Sequence, residues 1–280
     1  MPRREAAGAR RVGEPTRGKT APNRLRRVDA FVLGYDRELL RRAGPFRRAF
    51  FVDLGYGWEP VTTLQSAERL REVNRQLPVL GVEIDQERVA AAQAYQDAKT
   101  FFRLGGFNLP LGTWPDGIPE TVRLVRAFNV LRQYEEVMVG HAYELMMRDI
   151  LPGGLLIEGT SNPYGSVWVA NVARRLEGAA APWQLEALVF STNFRDGFDP
   201  GQFQPVLPKN LIHHVVPGEP IHAFFRDWKR AALETIAEQA WGPRRWFVAA
   251  AERLAKNGYK IDQRRRWLRK GWLIWQKPSV

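Results

Sequence analysis

Phe50-Phe51-Val52-Asp53-Leu54-Gly55-Tyr56-Gly57 is a short apolar strand running into a glycine turn, and Val79-Leu80-Gly81-Val82-Glu83-Ile84-Asp85 is a second apolar strand ending in two carboxylates. Residues 60–76 between them have the spacing of a helix. Strand, glycine turn, helix, strand and acid in that order make a nucleotide-binding βαβ half. Gly55 and Gly57 let backbone approach a ligand where a Cβ would clash. A carboxylate closing the second strand can accept hydrogen bonds from both hydroxyls of a ribose.

The turn does not suit a diphosphate. Gly57 is followed by Trp58, Glu59, Pro60 and Val61 in place of a third glycine, and a glutamate in a diphosphate cradle repels its ligand. The Gly-x-x-x-x-Gly-Lys-Ser/Thr phosphate loop occurs nowhere in the chain. A cationic or zwitterionic nucleoside fits the acids better.

On these residues the chain resembles the class I S-adenosylmethionine-dependent methyltransferases. Asp53, Gly55 and Gly57 match their Asp/Glu-x-Gly-x-Gly motif, and Glu83 matches their strand-two acid. Glu59 stands where the family often has a third glycine. The resemblance implies that Asp53, Gly55 and Gly57 hold the amino-acid end of S-adenosylmethionine and Glu83 its ribose. It places adenine recognition after strand three, at Gly106-Phe107-Asn108. There the family's acid is absent, so Asn108 or a backbone N–H substitutes and Phe107 packs on the base. Leu151-Pro152-Gly153-Gly154 is a further match, to the family's turn before strand five. Arg24 to Arg27, Arg126 to Tyr134 and Leu207 to His213 look like blocks of a bacterial group on this fold, which implies fold and cofactor but no acceptor.

The rest of the chain reads as a single α/β domain: a Rossmann-like, mostly parallel sheet with helices on both faces. A basic tail, expected to be disordered, covers residues 1–22. A helical cap follows at 23–48, the core sheet at 49–194, a helical and loop insertion at 195–265 and a closing strand at 266–280. Strands are expected at 49–54, 79–85, 100–104, 121–127 and 155–159. Residues 133–150 read as a long helix, 165–176 as a fifth crossover helix, and 183–193 as a β-rich run. Alternating strands and helices imply right-handed crossovers.

Composition narrows the function further. The chain has 280 residues, 45% of them apolar, enough to bury one substantial core. It has no cysteine, which removes disulfides, Cys-type zinc sites and thiol nucleophiles. It has no apolar run of about 18 residues to span a membrane and no apolar signal core after its arginine-rich start. A cytoplasmic enzyme without a membrane partner is expected. The net charge of +12 lies at the ends: fourteen Arg/Lys against five Asp/Glu over residues 1–48, and eight against one over 255–280. Such ends either contact nucleic-acid phosphates or are a solvated tail and terminal helix. The tail lacks evident aromatic stacking positions, which favours the second.

Candidate chemistry lies in the loop after strand four. Asn129 at the strand end is placed to orient an acceptor, or to cap the following helix. Tyr134 is placed to wall the pocket. Arg126 and Arg132 read as anion contacts or surface charges, and Glu158 and Thr160 as pocket residues or loop caps. Ser161-Asn162-Pro163-Tyr164 lacks the second proline of the adenine-methylating Asn/Asp-Pro-Pro-Tyr motif and follows the wrong strand. His213 is a candidate general base; its alternative is a structural strand with one inward ring, and adjacent His213 and His214 lack metal-ligand spacing. The expected function is methyl transfer from S-adenosylmethionine to a small molecule. RNA methylation, or a non-catalytic binding protein on this fold, is the alternative.

Overall fold

The computed structural model describes residues 12–15, 20–178 and 183–278. The other residues of the basic tail, 1–11 and 16–19, lie outside the described part. In chain order the elements are α1 (Arg26–Tyr35), α2 (Arg37–Arg41), β1 (Phe50–Leu54), α3 (Val61–Arg71), β2 (Val79–Glu83), α4 (Gln86–Ala92), β3 (Thr100–Leu104), β4 (Val122–Phe128) and α5 (Val137–Asp149). There follow β5 (Ile150–Ser161), β6 (Val167–Arg175), β7 (Trp183–Thr192), α6 (Lys209–Ile212), α7 (Pro220–Glu234), α8 (Pro243–Lys256), α9 (Arg265–Leu268) and β8 (Trp272–Gln276).

One eight-stranded sheet runs β3-β2-β1-β4-β5-β6-β7-β8. Its first five strands are parallel, in the doubly wound order whose ligand crevice lies at the carboxyl ends of β1 and β4. The fold is therefore Rossmann-like α/β. The last three strands are antiparallel additions. Both faces are covered. On one, α1, α2, α3 and α9 close a core that includes Phe31, Phe51, Leu124, Ile157 and Trp168. On the other, α5 packs against β1, β2 and β4, while α7 and α8 pack against β6, β7 and β8. No helix among the described residues is long and apolar enough to cross a membrane.

Residues 165–176 are not a crossover helix. They form β6, the second arm of a hairpin with β5. Asn162 makes the turn: its Oδ1 accepts from the Ser166 N–H at 3.0 Å and its Nδ2 donates to Ser166 Oγ at 2.7 Å. The run from Val167 to Ala173 is buried on both faces, so its apolar content lacks a two-residue period and period alone cannot tell strand from helix. Its β-branched Val167, Val169 and Val172 favour the strand. Likewise β5 begins at Ile150, ahead of the Pro-Gly-Gly turn, with its pairing to β4 slipping between Val122 and Leu124. Residues 209–212 are a short helix, and His213 is its exposed C-cap residue, not part of a strand.

Candidate functional site

β1 leads into the glycine turn, where Gly55 and Gly57 take φ of +70° and +85°. Side chains with a Cβ rarely adopt these values, so the turn needs glycine at both places. Glu83, at the end of the neighbouring β2, clamps the turn from the side. One of its oxygens accepts from the Gly57 N–H at 3.0 Å and the other from the Ile84 N–H at 2.9 Å. Arg88 of α4 lies 3.6 Å away and balances its charge.

Asp53 sits deeper. Its Oδ1 accepts from Arg126 Nε at 3.0 Å, and its Oδ2 accepts from Thr63 Oγ1 at 2.7 Å and pairs with Arg126 Nη2 at 2.8 Å. Arg126 Nη1 donates to Asp29 Oδ1 at 2.5 Å and Ser66 Oγ at 2.6 Å, and Asp29 also pairs with Arg69 at 2.8 Å. Arg126 is wholly buried, neither a surface charge nor an anion contact at the pocket. Two carboxylates hold its guanidinium above its ordinary pKa against the cost of burial. The network locks α1 and α3 beneath the turn, and Asp53 spends its charge there.

Three spaces line up along the carboxyl edge. The first, beside Glu83, Gly55, Gly106 and Phe107, has a volume of about 20 Å³. The second, about 50 Å³, lies between Asp53, Gly55, Thr20, Arg24 and Asn129. The third is an open groove of about 630 Å³ bounded by Arg24, Asn129, Arg132, Ser161, Asn162 and Val206. Gly55 borders the first two, and Arg24 and Asn129 border the second and third. The insertion roofs the groove through Pro205 and Val206.

Asn129 ties the ends of β4 and β5 together. Its φ is +61°, a left-handed value that asparagine tolerates better than most side chains. Its Oδ1 accepts from the Ser161 N–H at 2.9 Å and its Nδ2 donates to Ser161 Oγ at 3.2 Å. It bridges two strands and caps no helix. Arg24, marked in the sequence only as part of a block that carries a resemblance, reaches Ser161 Oγ at 3.3 Å from the segment before α1. Burial lowers its pKa. Only the packing of that segment onto the β5–β6 hairpin brings it here.

The remaining expected site residues separate. Tyr134 lies on the first space, packed on Phe107 with ring centres 5.1 Å apart, and does not border the open groove. Phe107 also borders that space; Asn108 does not, and its Oδ1 accepts from the Val12 N–H at 3.0 Å. His213 is exposed beside Lys209, with Nε2 3.2 Å from Nζ, and does not border the groove. His214 instead ties the insertion to the start of α5, at 2.6 Å from Glu136, which raises its pKa. Glu158 and Thr160 are buried. Burial pushes the Glu158 carboxyl up to about 7, and its Oε2 accepts from Tyr143 Oη at 3.0 Å.

No protein-family model matches the chain, and no curated protein matches it. Similar solved structures include LepI in complex with SAM, at 16% identity and TM-score 0.33, covering 44% of this chain and 30% of that one. A SAM-dependent methyltransferase from Mesorhizobium loti is similar at 21% identity and TM-score 0.31, covering 46% and 54%. The magnesium protoporphyrin IX methyltransferase ChlM from Synechocystis PCC 6803, with bound SAH, is similar at 17% identity and TM-score 0.34, covering 49% and 54%. The chain thus spans between 30% and 54% of the length of these proteins. Likeness at this distance adds nothing to what the residues themselves carry.

Proposed function

We propose that the chain binds S-adenosylmethionine along the carboxyl edge of β1 and β2 and transfers its methyl group to a small anionic acceptor in the adjoining groove. The observation that carries this reading is the row of three spaces sharing Gly55, Arg24 and Asn129 as common walls. The residues fit the cofactor. Glu83 places a carboxylate at the end of β2, the type of group that accepts from ribose hydroxyls, and the Phe107 N–H and Asn108 Oδ1, both paired with Val12, set a donor beside an acceptor that matches adenine. Arg24, which lines the second space, is a cation of the kind that would face the cofactor's carboxylate.

When bound, the cofactor supplies an electrophilic methyl on sulfur, which an acceptor lone pair displaces in line. Within the chain, the turn and Glu83 fix the nucleoside and Asn129 sets the boundary across which the methyl passes. Arg24 and Arg132 draw an anionic acceptor into the groove, so positioning is the main contribution. The groove's described lining holds no carboxylate and no imidazole, so the acceptor arrives as its own nucleophile. A screen with methyl-labelled S-adenosylmethionine and small anionic acceptors tests this. Label transfer lost in Asn129→Ala and Arg132→Ala supports it; transfer indifferent to both substitutions counts against this groove.

A second reading, an RNA acceptor, rests on α8 and α9. Arg244, Arg245, Arg265 and Arg269 gather there around Trp241, which is 72% exposed with Arg245 over its ring at 5.4 Å. An exposed indole among arginines is a stacking platform. RNA affinity falling steeply with salt, and weakened by Trp241→Ala, would favour it over the small acceptor.

A further inference from the structure

Residues 12–14 stand where adenosine would lie. The Val12 N–H donates to Asn108 Oδ1 at 3.0 Å, and the Val12 carbonyl accepts from the Phe107 N–H at 2.9 Å. Next along the segment, the Glu14 N–H donates to the Tyr134 hydroxyl, which donates back to the Glu14 carbonyl at 3.2 Å. Gln133 Nε2 donates to the carbonyls of Glu14 and Pro15 at 3.1 and 3.0 Å. A Cβ at Gly106 would stand 2.1 Å from the Val12 oxygen, so the approach depends on glycine. The space left over, about 20 Å³, has room for little more than one water molecule.

The base-pairing edge of adenine presents the N6 amino donor beside the N1 acceptor, and enzymes that hold a free base read such an edge with hydrogen bonds. One residue's N–H and C=O offer the same two functions. Val12 therefore satisfies the same Phe107 N–H and Asn108 Oδ1 that an adenine would.

We infer that residues 12–15 form an autoinhibitory strap that competes with the cofactor's adenine, so strap docking and nucleoside binding exclude each other. The inference rests on the S-adenosylmethionine reading above. With the strap docked in most molecules, apparent cofactor affinity falls in proportion to the open fraction. Anything that lifts the strap, an acceptor or a partner binding the N-terminal segment, then raises cofactor affinity without touching the site. The device makes sense of an adenine pocket whose hydrogen-bonding groups are complete but spoken for.

Two substitutions loosen the strap and leave Glu83, Phe107 and Asn108 unsubstituted. Val12→Pro removes the N–H given to Asn108. Gly13→Val strains a φ of +150° and brings its Cβ within 3.2 Å of Ile84 Cδ1 and Tyr134 Oη. The test is calorimetric titration of the full chain and both variants with S-adenosylhomocysteine, with amide exchange followed at Val12 and Phe107 in the unsubstituted chain. Both variants should bind up to about tenfold tighter, the equivalent of one net hydrogen bond. Ligand should expose the Val12 amide to exchange while the Phe107 amide stays protected. Equal affinity in all three chains, with Val12 protected throughout, would overturn the strap and leave the cofactor reading standing. Failure of all three to bind would overturn the cofactor reading and the strap with it.

Discussion

The two ends of the sheet solve different problems with different interiors. Beneath the glycine turn, the parallel end buries ions: Asp53, Asp29 and Arg126 are each 2% exposed or less. Beneath the insertion, the antiparallel end buries rings. Phe190, Phe203, Phe224, Phe225 and Trp228 pack at centre distances of 5.1–5.9 Å along their closest contacts, with Phe203 stacked on Trp228 at 5.1 Å. Rings contribute stability in proportion to the area they bury and are indifferent to what happens at the sheet's edge. Buried ions contribute little net stability but tolerate only one arrangement of their partners. The charged end is thus the one that fixes geometry, and the proposed site is at that end.

Substitutions separate the two roles. Arg126→Met should destabilise the chain by about 3–5 kcal/mol, because Asp53 is left buried without its cation and Asp29 loses one of its two arginines. Thermal unfolding measures it, and adding Asp53→Asn should recover part of the loss. Trp228→Ala should cost a similar ~3–5 kcal/mol through the cavity it leaves. Unlike the first, it should leave nucleoside affinity unchanged at a temperature where the chain is folded. Parallel loss of affinity in both would erase the contrast.

A smaller effect lies where the two ends meet, at Glu158 on β5. Its carboxyl has a pKa of about 7 in the folded chain against an ordinary 4.5, because burial penalises its charge. The folded chain then holds this proton more tightly than the unfolded one. The contribution is present in full below pH 4.5 and is lost as pH rises through 7, about 3 kcal/mol in all. Unfolding midpoints across this window should fall less steeply for Glu158→Gln. A pH profile identical to that of the unsubstituted chain would show that Glu158 is solvated.

The smallest effect is at the surface. His214 is raised by Glu136, so this pair helps at low pH and fades as pH rises through the folded pKa. His214→Ala should cost well under ~1 kcal/mol near pH 6 and nothing measurable near pH 9.

What was legible in the sequence follows the same division. The βαβ half was readable because glycine, strand-end acid and apolar strand are local signals, and Asp85 caps α4 through the Glu87 and Arg88 N–H groups as its position implies. The β6 strand was not, since burial on both faces removes the alternation that identifies a strand. Arg126 was read as a surface or ligand cation because nothing local says that Asp29, 97 positions earlier, folds onto it. The contacts of Arg24 with Ser161 and of Val12 with Asn108 were illegible for the same reason: they join residues 137 and 96 positions apart. Long-range polar contacts leave no period behind them.

The most direct test of the central claim is calorimetric titration with S-adenosylhomocysteine of the unsubstituted chain and of Glu83→Gln, whose neutral amide keeps the shape but gives up half the acceptor capacity at the ribose. The site described here predicts saturable one-to-one binding, weakened at least about tenfold by the substitution. Binding that is unaffected by Glu83→Gln, or no binding to a folded chain, would contradict it.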